Sequence, residues 1–320
     1  MLVNKNNNIS DLLSIIIVNY NGENFLYNCL ISIEKYGPIN YEVIIFDNSS
    51  TDNSIEIIEQ HFPWVILLKS QTNIGFVGGN NVASKYASGK YLLLLNNDTV
   101  IETPLEPVMN IFYNDHQIGA VGCQLVYEDG SQQESIGKEL YPLTIALSWS
   151  PLSTLFSRYR RTINKKSSKY QLKSYECKWI SGAFLMTSSD AWNNVSGLDN
   201  DYFMYMEDVD YCKKLRVFGY KIIYTSICTV KHFEGAGRPW IGAKALNNTS
   251  KSYLIYCKKH YNKYNLYLFS AVIFCIFTMR SFFHLLAYIL KYDKYGLEKS
   301  IDFYRSAFIF LKFNIPITHL

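Results

Sequence analysis

The chain has 320 residues, of which 48% are hydrophobic, 16% aromatic and 18% charged, with a formal net charge of +4. This much apolar side chain can offset the entropy of ordering a core, so disorder as the dominant state is excluded. Seven scattered cysteines in a chain of this length exclude a small disulfide framework, and the modest charge excludes the electrostatic footprint of a nucleic-acid binder.

Residues 1–10 are polar and Asn-rich, with no apolar h-region and no small-residue cleavage site, so the chain reads as cytoplasmic with reduced thiols. Cys29, Cys123 and Cys212 read as small buried hydrophobes. Leu13 to Val18 is an apolar β-branched run that suits a buried parallel strand. After a turn at Asn19 to Gly22, the spacing of Phe25, Leu26, Cys29, Leu30 and Ile33 predicts a helix. Val43 to Phe46 is a second strand, a helix starts near Ser54, and Val65 to Leu68 is a third strand. Gly75, Gly78 and Gly79 read as a loop before a helix around Val82 to Ala87, and Tyr91 to Leu95 is a fourth strand. This βαβαβαβ repetition argues for a parallel sheet with helices on both faces.

Tyr127 to Tyr175 mixes Gly, Ser, Gln and Pro with a basic cluster at Arg158, Arg160, Arg161, Lys165 and Lys166. A connection of that length inside a domain is usually functional. Trp179 to Thr187 reads as a strand, Val209 to Val217 as a helix closed by Gly219, and Lys221 to Tyr224 as a short strand. Leu266 to Leu290 is almost wholly apolar, broken by Arg280 and His284.

Ligands of an open parallel sheet bind beyond the carboxyl ends of its strands. This chain sets polar clusters there: Asn19-Tyr20, Asp47-Asn48, Asn73 and Asn96-Asn97-Asp98. One Asp after a strand is most often a cap or turn former; four clusters at four successive strand ends are a stronger signal. Neither a GxGxxG after the first strand nor a GxxxxGK[ST] is present, so the dinucleotide and P-loop readings fail. If a nucleotide diphosphate binds here, its charge is met by a metal ion that takes few protein ligands. Asp98 is the candidate ligand and His232 a second. Asp199 to Asp210 is the densest acidic stretch, with aromatic residues around it, and holds candidates for a general base.

In chain order the motifs are Ser14-Ile-Ile-Ile-Val-Asn-Tyr-Asn21, Asp47-Asn-Ser-Ser-Thr-Asp52, Asn73-Ile-Gly-Phe-Val-Gly-Gly-Asn-Asn81, Leu94-Leu-Asn-Asn-Asp-Thr99, Ser181-Gly-Ala183, Met204-Tyr-Met-Glu-Asp-Val-Asp210 and Val230-Lys-His232. Together they resemble the inverting family 2 glycosyltransferases of the GT-A fold, in the branch of rhamnosyltransferases. The resemblance implies an α/β, Rossmann-like, mixed and mostly parallel sheet with helices on both faces, followed by an apolar helical extension. It implies a catalytic domain over 1–235, with a donor half near 11–100 and an acceptor half near 101–235, and a helical region over 236–320. It also implies roles. Asp47 would contact the pyrimidine base, Val18, Asn19 and Tyr20 would line the base pocket, and Asn73 would lie near the nucleoside. Asn97 and Asp98 would face the donor, Asp98 and His232 would hold Mg²⁺ or Mn²⁺, and Asp208 would be the catalytic base. Trp179, Asp199 and Glu207 are the candidate acceptor contacts. The donor would be dTDP-rhamnose or a UDP-sugar, and the acceptor a glycan or lipid-linked glycan of a bacterial surface polysaccharide.

Two departures stand out. The D-x-D position reads Asn96-Asn97-Asp98, with one carboxylate missing, and Leu198-Asp199-Asn200 stands where the branch commonly has Phe-Asp-Glu. They leave a second reading open, a non-catalytic sugar-nucleotide-binding subunit of a membrane-bound assembly complex. Lysines flank the apolar tail: Lys258, Lys259 and Lys263 before it, Lys291 and Lys294 after it. Basic flanks on both sides fit a segment lying on the inner face of the cell membrane better than one crossing it. Burial against the catalytic domain or in a homodimer is the alternative.

Overall fold

A strand buried on both faces can be an unbroken apolar run, and an amphipathic helix can cover it. Three apolar runs of the first hundred residues, at Leu13, Val43 and Tyr91, accordingly become largely buried strands, and the run at Val65 becomes a half-exposed edge strand, with helices between them. In chain order the elements are β1 (Leu13–Asn19), α1 (Glu23–Tyr36), β2 (Tyr41–Asp47), α2 (Ser54–His61), β3 (Ile66–Lys69), α3 (Gly75–Ala83), β4 (Tyr91–Leu95), β5 (Thr99–Ile101), α4 (Glu106–Asn114), β6 (Ile118–Val126), β7 (Ile136–Gly137), α5 (Pro142–Ser148), β8 (Ser174–Glu176), β9 (Trp179–Ile180), β10 (Phe184–Ser188), α6 (Ser189–Asn194), α7 (Glu207–Val217), β11 (Lys221–His232), α8 (Gly242–His260), α9 (Lys263–Ile289) and α10 (Gly296–Ala307). The structure is a computed structural model and describes residues 11–150, 174–233 and 242–312, with 314 and 317. The polar leader 1–10 and the basic cluster from Arg158 to Lys166 lie outside the described residues.

The chain divides into two compact units. Of the described residues, the first takes 11–136, 174–198 and 211–233, and the second takes 137–150, 199–210 and 242–312.

The first unit is built on a sheet ordered β3-β2-β1-β4-β10-β6-β11-β5, with β8 beside β11. Strands β3, β2, β1 and β4 are parallel, Ile15 standing opposite Val43 on one side and Leu93 on the other. β10 then enters antiparallel between β4 and β6, so the sheet is mixed. Ile15, Ile17, Val43 and Ile45 pack with Leu26, Leu30 and Ile33 of α1, Ile58 of α2, and Val108 and Phe112 of α4. On the opposite face α3 lies on Val18 and Phe46.

The glycine run behaves differently from the sequence expectation. The helix starts at Gly75 and ends at Ala83, and a 3-10 turn follows at Ser84–Tyr86. Gly75 takes φ +84 at the helix entry, a region costly for other residues. A Cβ on Gly79 would stand 2.8 Å from Val18 and 3.0 Å from Phe46. These glycines bring the helix close to the sheet instead of breaking it. The run from Trp179 to Thr187 is two strands, β9 outside the main sheet and β10 inside it, parted by a turn in which the Ala183 N–H donates to Ser181 Oγ. Strand β11 runs on past Tyr224 to His232. An irregularity between Tyr224 and Thr229 lets it pair with β6 along its length and with β5 at its end.

The second unit holds α5, the acidic segment and α8 to α10. Phe277 of α9 meets Phe303 edge-on at 5.2 Å and Phe310 at 5.5 Å, and Phe269 meets Phe310 at 5.6 Å. The inward face of α9 also carries Ser270 and Ser281, both buried, and Ser281 Oγ donates to the Ser300 carbonyl. Arg280 turns inward as well, donating to the Trp149 carbonyl at 3.0 Å with its guanidinium 4.6 Å over the Phe303 ring. The outward face presents Leu268, Met279, Phe282, Phe283, Leu286 and Ile289 to solvent. Helix α9 thus buries Ser270 and Ser281 beside Phe269, Ile273 and Phe277, and leaves large apolar side chains exposed on its other side, where a soluble helix carries polar ones.

Candidate functional site

The carboxyl ends of β1, β2 and β4 are tied into one hydrogen-bonded network. Asn19, fully buried at the end of β1, donates to Asp47 Oδ1 at 3.0 Å and to Ser50 Oγ at 3.1 Å. Its own Oδ1 accepts from Asn97 Nδ2 at 2.8 Å. Asp47, 1% exposed, takes the Ser50 N–H on its second oxygen at 3.0 Å. A Cβ at Gly22 would fall 2.3 Å from Asn19 Oδ1 and 2.2 Å from Asn97 Nδ2, so only glycine leaves room for this crossing. Tyr20, next along, is 46% exposed at the rim.

The loop after β3 joins the same end of the sheet. Asn48 accepts from the Ile74 N–H at 2.8 Å and donates to the Gly75 carbonyl at 3.0 Å, while Asn73 Oδ1 accepts the Gly75 N–H. Asp52 ties the helix starts together, accepting from the Glu23 and Ser54 N–H groups. Burial works against the Asp52 charge, but the Ser54 hydroxyl and those N–H groups hold its carboxyl below the usual range.

The Asn96-Asn97-Asp98 turn leads straight into β5. β5 pairs antiparallel with the end of β11, placing His232 opposite Thr99. His232 Nε2 lies 3.3 Å from Asp98 Oδ1 and 3.3 Å from Asn96 Nδ2, and its Nδ1 is 2.8 Å from Gln133 Oε1. An Nδ1–H tautomer fits these neighbours: it donates to Gln133 and accepts from Asn96. Nε2 thus lies between the Asn96 amide and the Asp98 oxygen. An octahedral ion with ligands at about 2.1 Å sets neighbouring donors about 3.0 Å apart, close to the spacing here. Among the described residues no group of three or more His, Cys, Asp or Glu side chains could hold a metal. A cation held by Asp98 and His232 would have to draw its other ligands from substrate oxygens and water.

In the second unit, Asp199, Glu207 and Asp208 come within one segment. Glu207, Asp208 and Asp210 occupy the first turn of α7, where the helix dipole favours acidic side chains. Glu207 is buried, and its Oε2 has no hydrogen-bond partner among the described residues. Burial pushes the Glu207 carboxyl well above the usual range, and the neighbouring Asp208 charge adds to the rise. Asp208 is half-buried and Asp199 is held by Lys259. Trp179, by contrast, is a buried side chain of β9 in the first unit.

Gln133, Ser50 and the α8 residues that grip the acidic segment went unmarked in the sequence. Ser50 lies inside the Asp47 to Asp52 motif, which could have signalled it. Gln133 carries no local signal, because a bridge between Val126 and Gln132 brings it to the site.

A family model described as "Glycosyl transferase family 2" matches residues 14–186. The chain is 24% identical over 238 residues to an N-acetylglucosaminyl-diphospho-decaprenol L-rhamnosyltransferase of Mycobacterium tuberculosis strain H37Rv, covering 71% of this chain and 77% of that protein. It is 25% identical over 230 residues to the rhamnosyltransferase WbbL of Escherichia coli K12, covering 68% and 82%. In fold it is similar to GalNAc-T7, solved with UDP, GalNAc and Mn²⁺, at a TM-score of 0.57 and 15% identity, over 81% of this chain and 50% of that one. It is also similar to Staphylococcus aureus TarS 1–349, solved with UDP-GlcNAc, at a TM-score of 0.51 and 17% identity, over 95% and 81%.

Proposed function

Because the chain belongs to glycosyl transferase family 2, in its rhamnosyltransferase-like branch, we propose that it moves rhamnose from dTDP-rhamnose to a glycan or lipid-linked glycan in bacterial surface polysaccharide synthesis. The observation that carries this reading is the Asp98–His232 pair on the Asn96-Asn97-Asp98 turn, where Asn97 also joins the Asn19–Asp47 network at the sheet's carboxyl end. Relatives whose names specify rhamnosyl transfer support the choice of sugar, and lipid-linked acceptors are named for one of them.

The enzyme inverts, so one displacement suffices. An acceptor hydroxyl attacks the anomeric carbon from the face opposite the diphosphate. The new C–O bond forms as the bond to the leaving oxygen breaks, and Asp208 takes the hydroxyl proton. Asp98 and His232 would hold Mg²⁺ or Mn²⁺, which when bound offsets the charge on the departing diphosphate. Asn19, Asp47 and Asn97 fix the loops that receive the donor, with Tyr20 at their rim and Asn73 shaping the turn after β3. Trp179, Asp199 and Glu207 are assigned to acceptor recognition on the family resemblance.

The apolar outward face of α9 adds a location. This helix is long and apolar enough to cross a membrane, and 39% of its most apolar 18 residues are buried within the fold. The outward aromatic and aliphatic face suits the headgroup boundary of the inner leaflet, with α9 lying along the surface. Lys259 is engaged by Asp199 and Asp201 and Lys258 donates to the Lys312 carbonyl, so this reading assigns Lys263, Lys291 and Lys294 to acidic lipid.

The test is turnover. Purified protein with dTDP-rhamnose, Mn²⁺ and bacterial lipid extract should release dTDP. Asp208→Asn should cut that release by a factor of about 10² to 10⁴, the range of general base catalysis, with donor binding retained in calorimetry. Undiminished release by the variant removes Asp208 as base. Release from UDP-sugars alone moves the donor away from rhamnose.

A further inference from the structure

The sequence motifs end at His232, and α8 carries none of them, yet α8 holds the segment that bears Asp208. Ser252 Oγ donates to the Met204 carbonyl at 2.8 Å. The Lys259 ammonium bridges Asp199 and Asp201, 2.5 Å from the latter, and sits 5.4 Å over the Tyr202 ring. His260 Nε2 donates to Asp210 Oδ1 at 2.6 Å, an oxygen that also accepts from the Tyr202 hydroxyl at 3.3 Å. The Tyr256 ring, one turn back on α8, leans on His260 at 4.6 Å. Asp210 is 1% exposed, and a carboxylate taken that far from water needs its partner.

The backbone between these holding points is strained. Tyr205 and Met206 have φ of +71 and +67. Residues with a Cβ keep such a conformation only where their surroundings over-determine it, and it is often found at functional sites. The strained pair directly precedes Glu207, so it sets where α7 begins and hence where the Asp208 carboxyl stands.

We propose that Ser252, Lys259 and His260 are positioning residues for Asp208: α8 holds the strained turn from both sides and fixes the start of α7. The proposal rests on the reading of Asp208 as base. It makes the working geometry of that carboxyl a property of the C-terminal helices.

The experiment uses the full chain with His260→Ala, His260→Gln, Lys259→Met and, beside them, Asp208→Asn. Amide hydrogen exchange is read across residues 199–210 and across α9 and α10. Turnover is read with whichever of dTDP-rhamnose, UDP-glucose and UDP-N-acetylglucosamine the wild type uses. His260→Ala and Lys259→Met should speed exchange in 203–208 at least tenfold while α9 and α10 keep their protection. Their kcat should fall at least tenfold with donor KM within twofold, and His260→Gln, which keeps a donor near Asp210, should recover most of both. Unchanged exchange in 203–208 overturns the proposal, as does faster exchange in all three elements alike. Wild-type kcat in His260→Ala beside an inactive Asp208→Asn overturns it while sparing the base reading. Full turnover in Asp208→Asn with loss in His260→Ala removes the base reading and leaves the hold on the loop standing.

Discussion

Replacing Phe282 and Phe283 together by serine should detach the protein from lipid without unfolding it. The two rings are 61% and 54% exposed on the outward face of α9. An aromatic side chain offers about 200 Å², so they present roughly 120 and 110 Å² to the surroundings. At about 25 cal/mol per Å², full transfer of both from water amounts to about 6 kcal/mol. A helix lying in the headgroup boundary sinks only part of that area, and half of it gives about 3 kcal/mol, or a factor of about 10² in partitioning. The assay is co-sedimentation with phosphatidylethanolamine–phosphatidylglycerol vesicles, with thermal unfolding as the control. The rings contact each other at 5.9 Å, so the melting temperature should fall by only a few degrees. Unchanged sedimentation of the folded variant refutes the membrane reading. A wild type that is dimeric without vesicles, and that the same substitutions render monomeric, assigns this face to a second copy instead.

Other outcomes follow from the same structure. Glu207→Gln should change the pH dependence of stability. The raised Glu207 carboxyl contributes stability that is fully present below the ordinary value of 4.5 and is lost as pH rises toward its folded value. Melting curves should thus show Glu207→Gln gaining on the wild type as pH rises above 4.5, and a gap that stays constant with pH contradicts the assignment. Gln133→Ala should weaken Mn²⁺ binding in the presence of nucleoside diphosphate by about 10- to 100-fold, since the residue orients a metal-facing imidazole; calorimetric titration with an unchanged affinity would count against the pair Asp98–His232 as the cation site. Gly79→Ala should cost about 1–3 kcal/mol in denaturant unfolding, because its Cβ would meet Val18 and Phe46 at 2.8 and 3.0 Å.

What the sequence makes legible divides along physical lines. The alternation from Leu13 to Leu95 is readable because buried parallel strands leave continuous apolar runs. Asn19, Asp47 and Asn97 are readable as site residues because strand-end position and polarity coincide, and they do meet in one network. The start of α3 is hidden because glycine usually signals a loop, and its use here for close approach depends on Val18 and Phe46, far away in sequence. The full length of β11 is hidden because the polar residues Thr225 and Ser226 look like a strand end, whereas the strand passes through an irregularity there. The role of α8 is hidden most deeply. Lys259 reads as one of several flanking lysines, and only packing turns it toward Asp199 and Asp201. Ser270 and Ser281 lie in an almost wholly apolar run, and only packing shows that they face inward.

The pairing of His232 with the turn after β4 also fixes when, during synthesis, the proposed cation site can form. His232 lies 136 residues after Asn96, and ribosomes add about 5–20 residues per second. About 7–27 seconds therefore separate the emergence of the two halves, a span in which β1 to β4 can already form their parallel sheet. A nascent chain can thus shape the loops after β1, β2 and β4 long before His232 can join Asp98. Synthesis interrupted before β11 yields a fragment without the imidazole, which on the proposed reading lacks one of the two protein ligands of the cation.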